Sequence, residues 1–255
     1  MIRNLIVIAV ASFVLTLVCA VGVAALGGRE LMEHGWSIPA DINVDEHGDD
    51  VRISVGGDDE SGPDTTRDIA WAGGSVLQIN LPAEVTYTQG ATPKVTVTGP
   101  KGLVDRVTLV DGGLRLDPAG GDSRGAVRIG VVRDRLKITV VAPAVTKFVL
   151  NGSPSLSLAA YDQPELAVEI NGSGDVSGTG KTQTLALSIA GSGEAGLAGL
   201  QARDASVSVT GSGNAEVLAS GAVKVSIAGS GDVTLTAKPA SLTSNIDGSG
   251  DLHLP

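Results

Sequence analysis

Short stretches in the C-terminal half of the chain alternate apolar and polar residues, and this alternation recurs with a fixed period. The triplet Gly-Ser-Gly occurs at 172–174, 191–193, 211–213, 229–231 and 248–250, and a degenerate copy occurs at 151–154. The first glycines of the copies, from Gly152 onwards, are 20, 19, 20, 18 and 19 residues apart. A fixed period near 19 residues indicates one supersecondary unit repeated along the chain.

Aliphatic residues flank each complete triplet at steps of two, which puts them on one face of a strand. The column two positions before the triplet consists of Ile170, Ile189, Val209, Ile227 and Ile246. We expect a corner at the triplet, because glycine reaches positive φ without steric cost. One such coil buries too little apolar surface to fold alone, so coils must stack. The pattern predicts an all-β chain that forms a parallel β-helix, or β-solenoid, with coils of about 19 residues.

The solenoid domain is predicted to span residues 75–255, with clear repeats over 151–255. From Ser75 to about residue 150 the sequence shows short β-runs, for example 94–98 and 136–140, separated by turn residues such as Gly99-Pro100. No segment after residue 75 has a sustained helical period.

Residues 1–26 are predicted to direct export. Arg3 precedes an uncharged apolar stretch from Leu5 to Leu26, which is long enough for a helix that spans a membrane. An uncleaved signal anchor is one interpretation, and a signal peptide cleaved after a small-residue site in residues 18–25 is another. A lipoprotein anchored through Cys19 is a third, although Val18 is large for that role. An anchor would leave the N-terminus in the bacterial inner membrane and the domain in the periplasm, whereas cleavage would make the protein secreted.

Residues 27–74 are predicted to form an acidic, flexible tether. Ten acidic residues and two arginines lie between Asp41 and Asp68, and such a stretch buries little apolar surface. One short alternating piece, 51–55, is left open as a strand or a docking segment. The net charge of −10 argues against a nucleic-acid partner, because phosphate binding needs a basic surface.

Two columns of outward side chains are candidate binding positions. The first follows the triplets and contains Asp175, Glu194, Asn214, Asp232 and Asp251. These side chains could line up to hold cations, but turn residues of these types also accept backbone N–H bonds, which we favour. The second column precedes the triplets and contains Glu169, Ser188, Ser208, Ser226 and Asn245. It is expected to be a solvated face, with glycan binding as the alternative.

The sequence indicates no catalytic residue, no cofactor and no metal site. The histidines are His34, His47 and His253, and none lies near a sequence pattern for nucleophilic catalysis. Paired carboxylates for glycoside cleavage exist, but residues 162–255 contain no Phe, Tyr or Trp that could stack on a sugar ring. The acceptor patterns for glycosylation at Asn151 and Asn171 coincide with the corner of the repeat, which already explains them.

The repeated pattern resembles the putative auto-transporter adhesin head GIN domain family. The motif is carried by 170–176 and 227–233, and residues 79–82, 95–100 and 136–140 resemble the opening strands of that family. The resemblance covers about residues 68–255. It implies a right-handed parallel β-helix on exported bacterial proteins, a role in adhesion, and no catalytic residues.

These observations predict a non-enzymatic envelope protein that presents a β-solenoid as an adhesion, binding or structural module. Its partner would be an envelope protein or a glycan, with membrane contact through the N-terminal helix and an oligomeric state that the sequence leaves open. A polysaccharide-acting β-helix enzyme is one alternative. A membrane-tethered periplasmic sensor or regulator is the other.

Overall fold

The computed structural model describes residues 63–117 and 136–255, together with the backbone of residues 42–47 and 50–55. The chain divides into two compact units, Met1–Gly57 and Asp58–Pro255. The predicted export segment at 1–26 lies outside the described residues, as do Cys19 and His34. In the part of the chain that the structure describes, no helix has the length and apolar character of a membrane span.

The first unit contains an antiparallel strand pair. Strand β1 (Ile42–His47) pairs with β2 (Asp50–Val55), with Ile42 opposite Val55 and His47 opposite Asp50. The alternating stretch 51–55, which the sequence leaves open between two interpretations, is therefore part of a strand.

The second unit is built almost entirely from strands. They are β3 (Asp64–Ile69), β4 (Val76–Asn80), β5 (Glu84–Gln89), β6 (Lys94–Pro100), β7 (Val107–Val110), β8 (Gly113–Leu116), β9 (Lys137–Ala142), β10 (Lys147–Gly152), β11 (Ser155–Asp162), β12 (Glu165–Gly172), β13 (Asp175–Gly191), β14 (Glu194–Gly211), β15 (Asn214–Ala219), β16 (Ala222–Gly229), β17 (Val233–Leu235), β18 (Ser241–Gly248) and β19 (Leu252–His253). A single helical turn, α1 (Lys101–Val104), follows β6.

The predicted β-solenoid is confirmed, with parallel stacking in the predicted register. Each strand before a triplet pairs in parallel with its equivalent one coil later, from β10 through β12, β13, β14 and β16 to β18. The corner glycines lie opposite one another, so that Gly191 faces Gly211 and Gly211 faces Gly229. The strands after the triplets stack in the same way, with Ala195 opposite Ala215.

The two glycines of each triplet are required for different reasons. The first has a positive φ, which is 118° at Gly211, and a Cβ there would collide with the carbonyl oxygen of Gly191 in the coil below. The second, such as Gly213, lacks a positive φ, but a Cβ would lie 2.6 Å from both the Gly193 oxygen and Ile189 Cγ2. The predicted corner conformation is thus correct for the first glycine, whereas close stacking explains the second.

A continuous aliphatic core fills the solenoid, and three aromatic rings from β5, β10 and β11 are part of it. Tyr87, Phe148 and Tyr161 are fully buried, and the Tyr87 and Phe148 rings meet edge to face with centroids 5.0 Å apart. The Tyr87 hydroxyl donates to the Ala142 carbonyl at 2.9 Å. The Tyr161 hydroxyl lies 2.6 Å from the Glu165 carbonyl oxygen. Both polar tips are therefore satisfied inside the core, as buried tyrosine requires.

Local bulges absorb the differences in coil length. The register shifts between Leu158 and Tyr161, where Ala160 has a φ of 50°. It shifts again between Leu197 and Gln201. These irregularities all follow the inward positions after the triplet, so the coil grows or shrinks at one corner while the glycine corner keeps its register.

The order of coils in the stack differs from the order along the chain. Strand β4 pairs in parallel with β10 on one side and with β8 on the other, and β5 likewise lies between β11 and β9. Beyond this coil, β6 pairs antiparallel with β9, and β3 pairs antiparallel with β6. Together with α1 these antiparallel strands cover the N-terminal end of the solenoid.

Strand β3 lies inside the segment 27–74 that the sequence predicts as a tether. The Arg67 guanidinium donates to the carbonyls of Asp105, at 3.1 Å, and Val107. The Thr96 hydroxyl donates to Asp68 at 2.8 Å, and this bond, with Lys94 beside it, lowers the pKa of the Asp68 carboxyl. The folded sheet therefore begins before Ser75, because charged residues of β3 find partners on β6 and on the chain after α1.

Candidate binding surface

The predicted acidic column is formed by the stacking. Asp175 lies opposite Glu194, and Glu194 lies opposite Asn214. Val233 lies opposite Leu252, so the residues that precede them, Asp232 and Asp251, continue the column in the last two coils. Adjacent strands lie about 4.8 Å apart, which sets the spacing of the column.

Backbone hydrogen bonds occupy part of this column. Asn214 Oδ1 accepts the Asp232 N–H at 3.0 Å, and Asp232 Oδ1 accepts the Asp251 N–H at 2.9 Å. The interpretation as turn residues is therefore correct for Asn214 and Asp232. Each side chain holds the corner of the next coil, since it replaces a carbonyl acceptor of the stacked backbone.

The column belongs to a wider acidic face, which we define as the outward positions of the strand segments that follow the triplets. Glu216 adds a carboxylate beside the column, opposite Gly196 on one side and Thr234 on the other. Glu194, Glu216 and Asp251 are exposed, whereas Asp175 and Asp232 are half-buried. Within residues 175–178, 194–197, 214–217, 232–235 and 251–254 there is no lysine or arginine. These positions therefore contribute carboxylates and neither of the strongly basic side chains.

One part of the acidic face adds a histidine to two residues of the predicted column. Ligand atoms of Asp232, Asp251 and His253 lie within 4.8 Å of one another. Two carboxylates and an imidazole are donors that divalent metal ions accept, so these three residues could hold one. His253 pairs with Thr234 one coil earlier. Extending the repeat register by one coil would have placed His253 here.

The second predicted column also forms, on the face that precedes the triplets. Glu169, Ser188, Ser208, Ser226 and Asn245 lie in one row across the parallel strands. Lys147 forms an ion pair with Glu169 at 2.6 Å. This small-residue face, as we call the outward side of β12 to β18 before the triplets, consists mainly of serine, threonine, alanine and asparagine, and its carboxylates share it with Lys224.

The asparagines of the two glycosylation patterns are hydrogen-bonded in a ladder that runs from coil to coil. Asn151 Nδ2 donates to Asn80 Oδ1 at 2.6 Å, and Asn171 Nδ2 donates to Asn151 Oδ1 at 3.0 Å. The amide nitrogen that glycosylation would modify is thus a donor that links successive coils. The sequence does not reveal this ladder, because Asn80 is 71 residues away from Asn151.

A shallow cleft lies at a different corner of the stack. Its volume is about 220 Å³, and it is lined by Asp162, Gln163, Pro164, Lys181, Thr182 and Gln183. Lys181 and Asp162 form an exposed ion pair at 3.3 Å across it. The cleft is smaller than the roughly 300–1,000 Å³ that drug-sized ligands occupy.

Solved structures of other bacterial proteins resemble this chain to different degrees. A crystal structure of a putative adhesin from Bacteroides fragilis NCTC 9343 matches with a TM-score of 0.58 and 19% identity, over 78% of this chain and 100% of that chain. A putative adhesin from Parabacteroides distasonis ATCC 8503 matches with a TM-score of 0.49 and 15% identity, over 77% and 98% of the two chains. A putative lipid binding protein from the same organism matches with a TM-score of 0.46 and 20% identity, also over 77% and 98%.

Among curated proteins, none matches the chain in sequence. The family model described as putative auto-transporter adhesin, head GIN domain, matches residues 75–239. This range includes β4 to β17 and four of the five complete Gly-Ser-Gly corners. The chain therefore belongs to the putative auto-transporter adhesin, head GIN domain family.

Proposed function

We propose that the chain is a non-enzymatic adhesion module of the bacterial cell envelope, which binds a cationic macromolecular surface through its acidic face. The observation that carries this proposal is the row of carboxylates held at the coil spacing without a lysine or arginine among them. Membership of an adhesin-type family supports the general role, and an exported location agrees with it.

The geometry of the acidic face supports binding better than catalysis. Its carboxylates lie on the outward side of a rigid sheet, so they are displayed in a line rather than gathered in a cleft. A flat array of like charges raises the local concentration of a cationic partner and accelerates its association. Because stacked strands fix the spacing, little side-chain and loop ordering is needed on binding.

The aromatic residues of the described chain do not offer a platform for sugar rings. Tyr87, Phe148 and Tyr161 are fully buried, and Trp71 is packed against the core. Stacking on exposed rings is a common means of holding a carbohydrate in place. Their burial supports a charged partner over a neutral glycan.

The test is cell adhesion of full-length variants in a bacterial strain that lacks its own copy. The variant Asp175→Asn/Glu194→Gln/Glu216→Gln removes three charges from the acidic face and keeps the side-chain sizes. The matched control Ser188→Ala/Ser208→Ala/Ser226→Ala alters three residues of the small-residue face on the same coils. We expect adhesion to a cationic surface to be lost in the first variant and kept in the second.

Equal adhesion of the two variants would show that the acidic face is not the binding surface. The enzyme alternative is tested in the same strains by following new reducing ends in isolated envelope polysaccharide over time. Turnover that depends on the protein would contradict a non-enzymatic module, whatever the adhesion assay gives.

A further inference from the structure

The coil of β18 and β19 adds a nitrogen donor to the acidic face, beside two of its carboxylates. Asp251 and His253 are two residues apart, so their side chains lie on the same side of the chain. Asp232 belongs to the neighbouring coil, and ligand atoms of all three residues lie within 4.8 Å of one another. In the other described coils, the residue at the position of His253 offers no imidazole; it is Ser177, Gly196, Glu216 or Thr234.

Two carboxylates and one imidazole select a class of metal ion. Calcium takes about six to eight oxygen ligands, and magnesium also prefers oxygen. Imidazole is instead a good ligand for Zn²⁺ and other divalent transition-metal ions. With bond lengths of about 2.1 Å, the donors around a tetrahedral Zn²⁺ lie about 3.4 Å apart. Asp251 and His253 are exposed, so their side chains are free to rotate over the remaining distance.

Asp232 is already held in place by the stacked backbone. Its Oδ1 accepts the N–H of Asp251 at 2.9 Å, and its own N–H donates to Asn214 Oδ1 at 3.0 Å. The other carboxylate oxygen remains for an ion, and a hydrogen bond of this kind orients a metal-binding carboxylate. Within the described chain, neither Asp232 nor Asp251 forms an ion pair with a lysine or arginine.

We propose that Asp232, Asp251 and His253 bind a divalent transition-metal ion of the Zn²⁺ type, which fastens the coil of β18 and β19 to the coil before it. One ligand comes from the earlier coil and two come from the later one, so the ion links coils that the backbone ladder already joins. It also offsets the repulsion between carboxylates on strands about 4.8 Å apart. Three protein ligands leave the fourth position of a tetrahedral ion to water.

The metal site does not rest on the proposed adhesion. The variant that tests adhesion changes Asp175, Glu194 and Glu216, and none of these residues is a ligand here. Either proposal can therefore fail while the other holds.

The test is calorimetric titration of Zn²⁺ into full-length, chelator-treated protein that carries Cys19→Ala/His34→Ala/His47→Ala and no polyhistidine tag. His253 is then the one remaining histidine. We expect one Zn²⁺ per chain, and binding at least about tenfold weaker after His253→Gln or Asp251→Asn. The matched control Asp247→Asn removes an exposed carboxylate of the same coil and should bind Zn²⁺ as the parent does.

Absence of Zn²⁺ binding, or equal binding by His253→Gln and the parent, would overturn the proposal. Calcium that binds as tightly as Zn²⁺ would also overturn it, because the carboxylates alone would then make the site. Hydrogen exchange measures the link between the coils, since an ion that binds only the folded stack stabilises it. Zn²⁺ should slow amide exchange in residues 241–253 and leave residues 185–191 unchanged. Unchanged exchange in 241–253 would show that the ion does not fasten this coil.

Discussion

Gly211 satisfies two separate physical requirements at one position. Its φ of 118° lies where L-residues with a side chain are strained, and its Cα hydrogen faces the carbonyl of Gly191. The sequence predicts the first requirement, since a recurring glycine at a strand end indicates a positive φ. The second depends on the distance between coils, which becomes known only when the stack is built.

Replacing Gly211 by valine should destabilise the solenoid far more than replacing Ser208 by valine. The first change combines backbone strain with a collision against the coil below, and we expect a loss above about 3 kcal/mol. Ser208 is exposed on a strand that favours β-branched residues, so its change should stay within about 0.5 kcal/mol. Urea unfolding of both variants measures the difference, and similar midpoints would contradict the role of the glycine column.

Tyr161 links the stability of the core to alkaline pH. Burial, followed by the charges of Tyr87 and Glu165, raises the pKa of its phenol. The unfolded chain releases this proton near pH 10, whereas the folded chain retains it. The contribution is therefore fully present below about pH 10 and is lost as pH rises towards the folded pKa.

The melting temperature should fall above about pH 10, and the fall should be shallower in Tyr161→Phe. A residual slope is expected in the variant because burial also raises the pKa of Tyr87. At neutral pH the variant should lose about 1 kcal/mol, since the Glu165 carbonyl loses a donor. Thermal melts at pH 8 and pH 11 decide the question, and parallel curves for the two proteins would count against it.

At the scale of elements, the inward aliphatic column places a similar side chain at the same position of each coil, but the coils differ in how deeply that side chain is buried. Ile189 is 1% exposed in the middle of the stack, and Ile246 is 42% exposed in the last coil. The two residues occupy the same repeat position, so any difference between them reports the environment rather than the sequence motif.

Ile189→Ala should cost about 2–5 kcal/mol, because a cavity remains between two fixed coils. Ile246→Ala should cost well under half of that in a dilute monomer, where solvent already reaches the side chain. Chemical denaturation of dilute protein measures both. Equal losses would mean that the last coil is as deeply packed as the middle of the stack.

The strand pattern and the register of the repeats could be predicted from the sequence, whereas the N-terminal coils could not. From residue 151 onwards, period-2 alternation and the glycine spacing determine which residues lie opposite each other. The coil formed by β4 and β5 stacks below β10 and β11, although residues 90–146 intervene. That contact joins segments without a repeat signal, and loop closure over such a distance leaves no local pattern.

The sequence predicts only part of the candidate surface, namely the part that follows the repeat. The acidic column follows from the triplet spacing, and the sequence places it correctly. His253 lies near Asp232, a residue of a different type in the preceding coil. The ladder from Asn80 to Asn171 joins identical residues, but Asn80 lies 71 residues before Asn151 and outside the repeats. A search for the repeat motif misses the first pair because its residues differ, and it misses the ladder because Asn80 carries no copy of the motif.

For the whole molecule, the account holds that a rigid stack displays carboxylates to a cationic partner. A contact of this kind weakens as salt screens it, since the Debye length falls from about 10 Å at 0.1 M to about 3 Å at 1 M. Adhesion through apolar surface would instead persist or strengthen at high salt. Salt dependence therefore distinguishes the proposed contact from the main physical alternative.

The most direct measurement is cell adhesion across this range of ionic strength, with the full-length wild type and the variant Asp175→Asn/Glu194→Gln/Glu216→Gln side by side. The account predicts that wild-type adhesion falls steeply with salt and that the variant is weak at every salt concentration. Wild-type adhesion that does not change with salt, or a variant that adheres like the wild type, would contradict it.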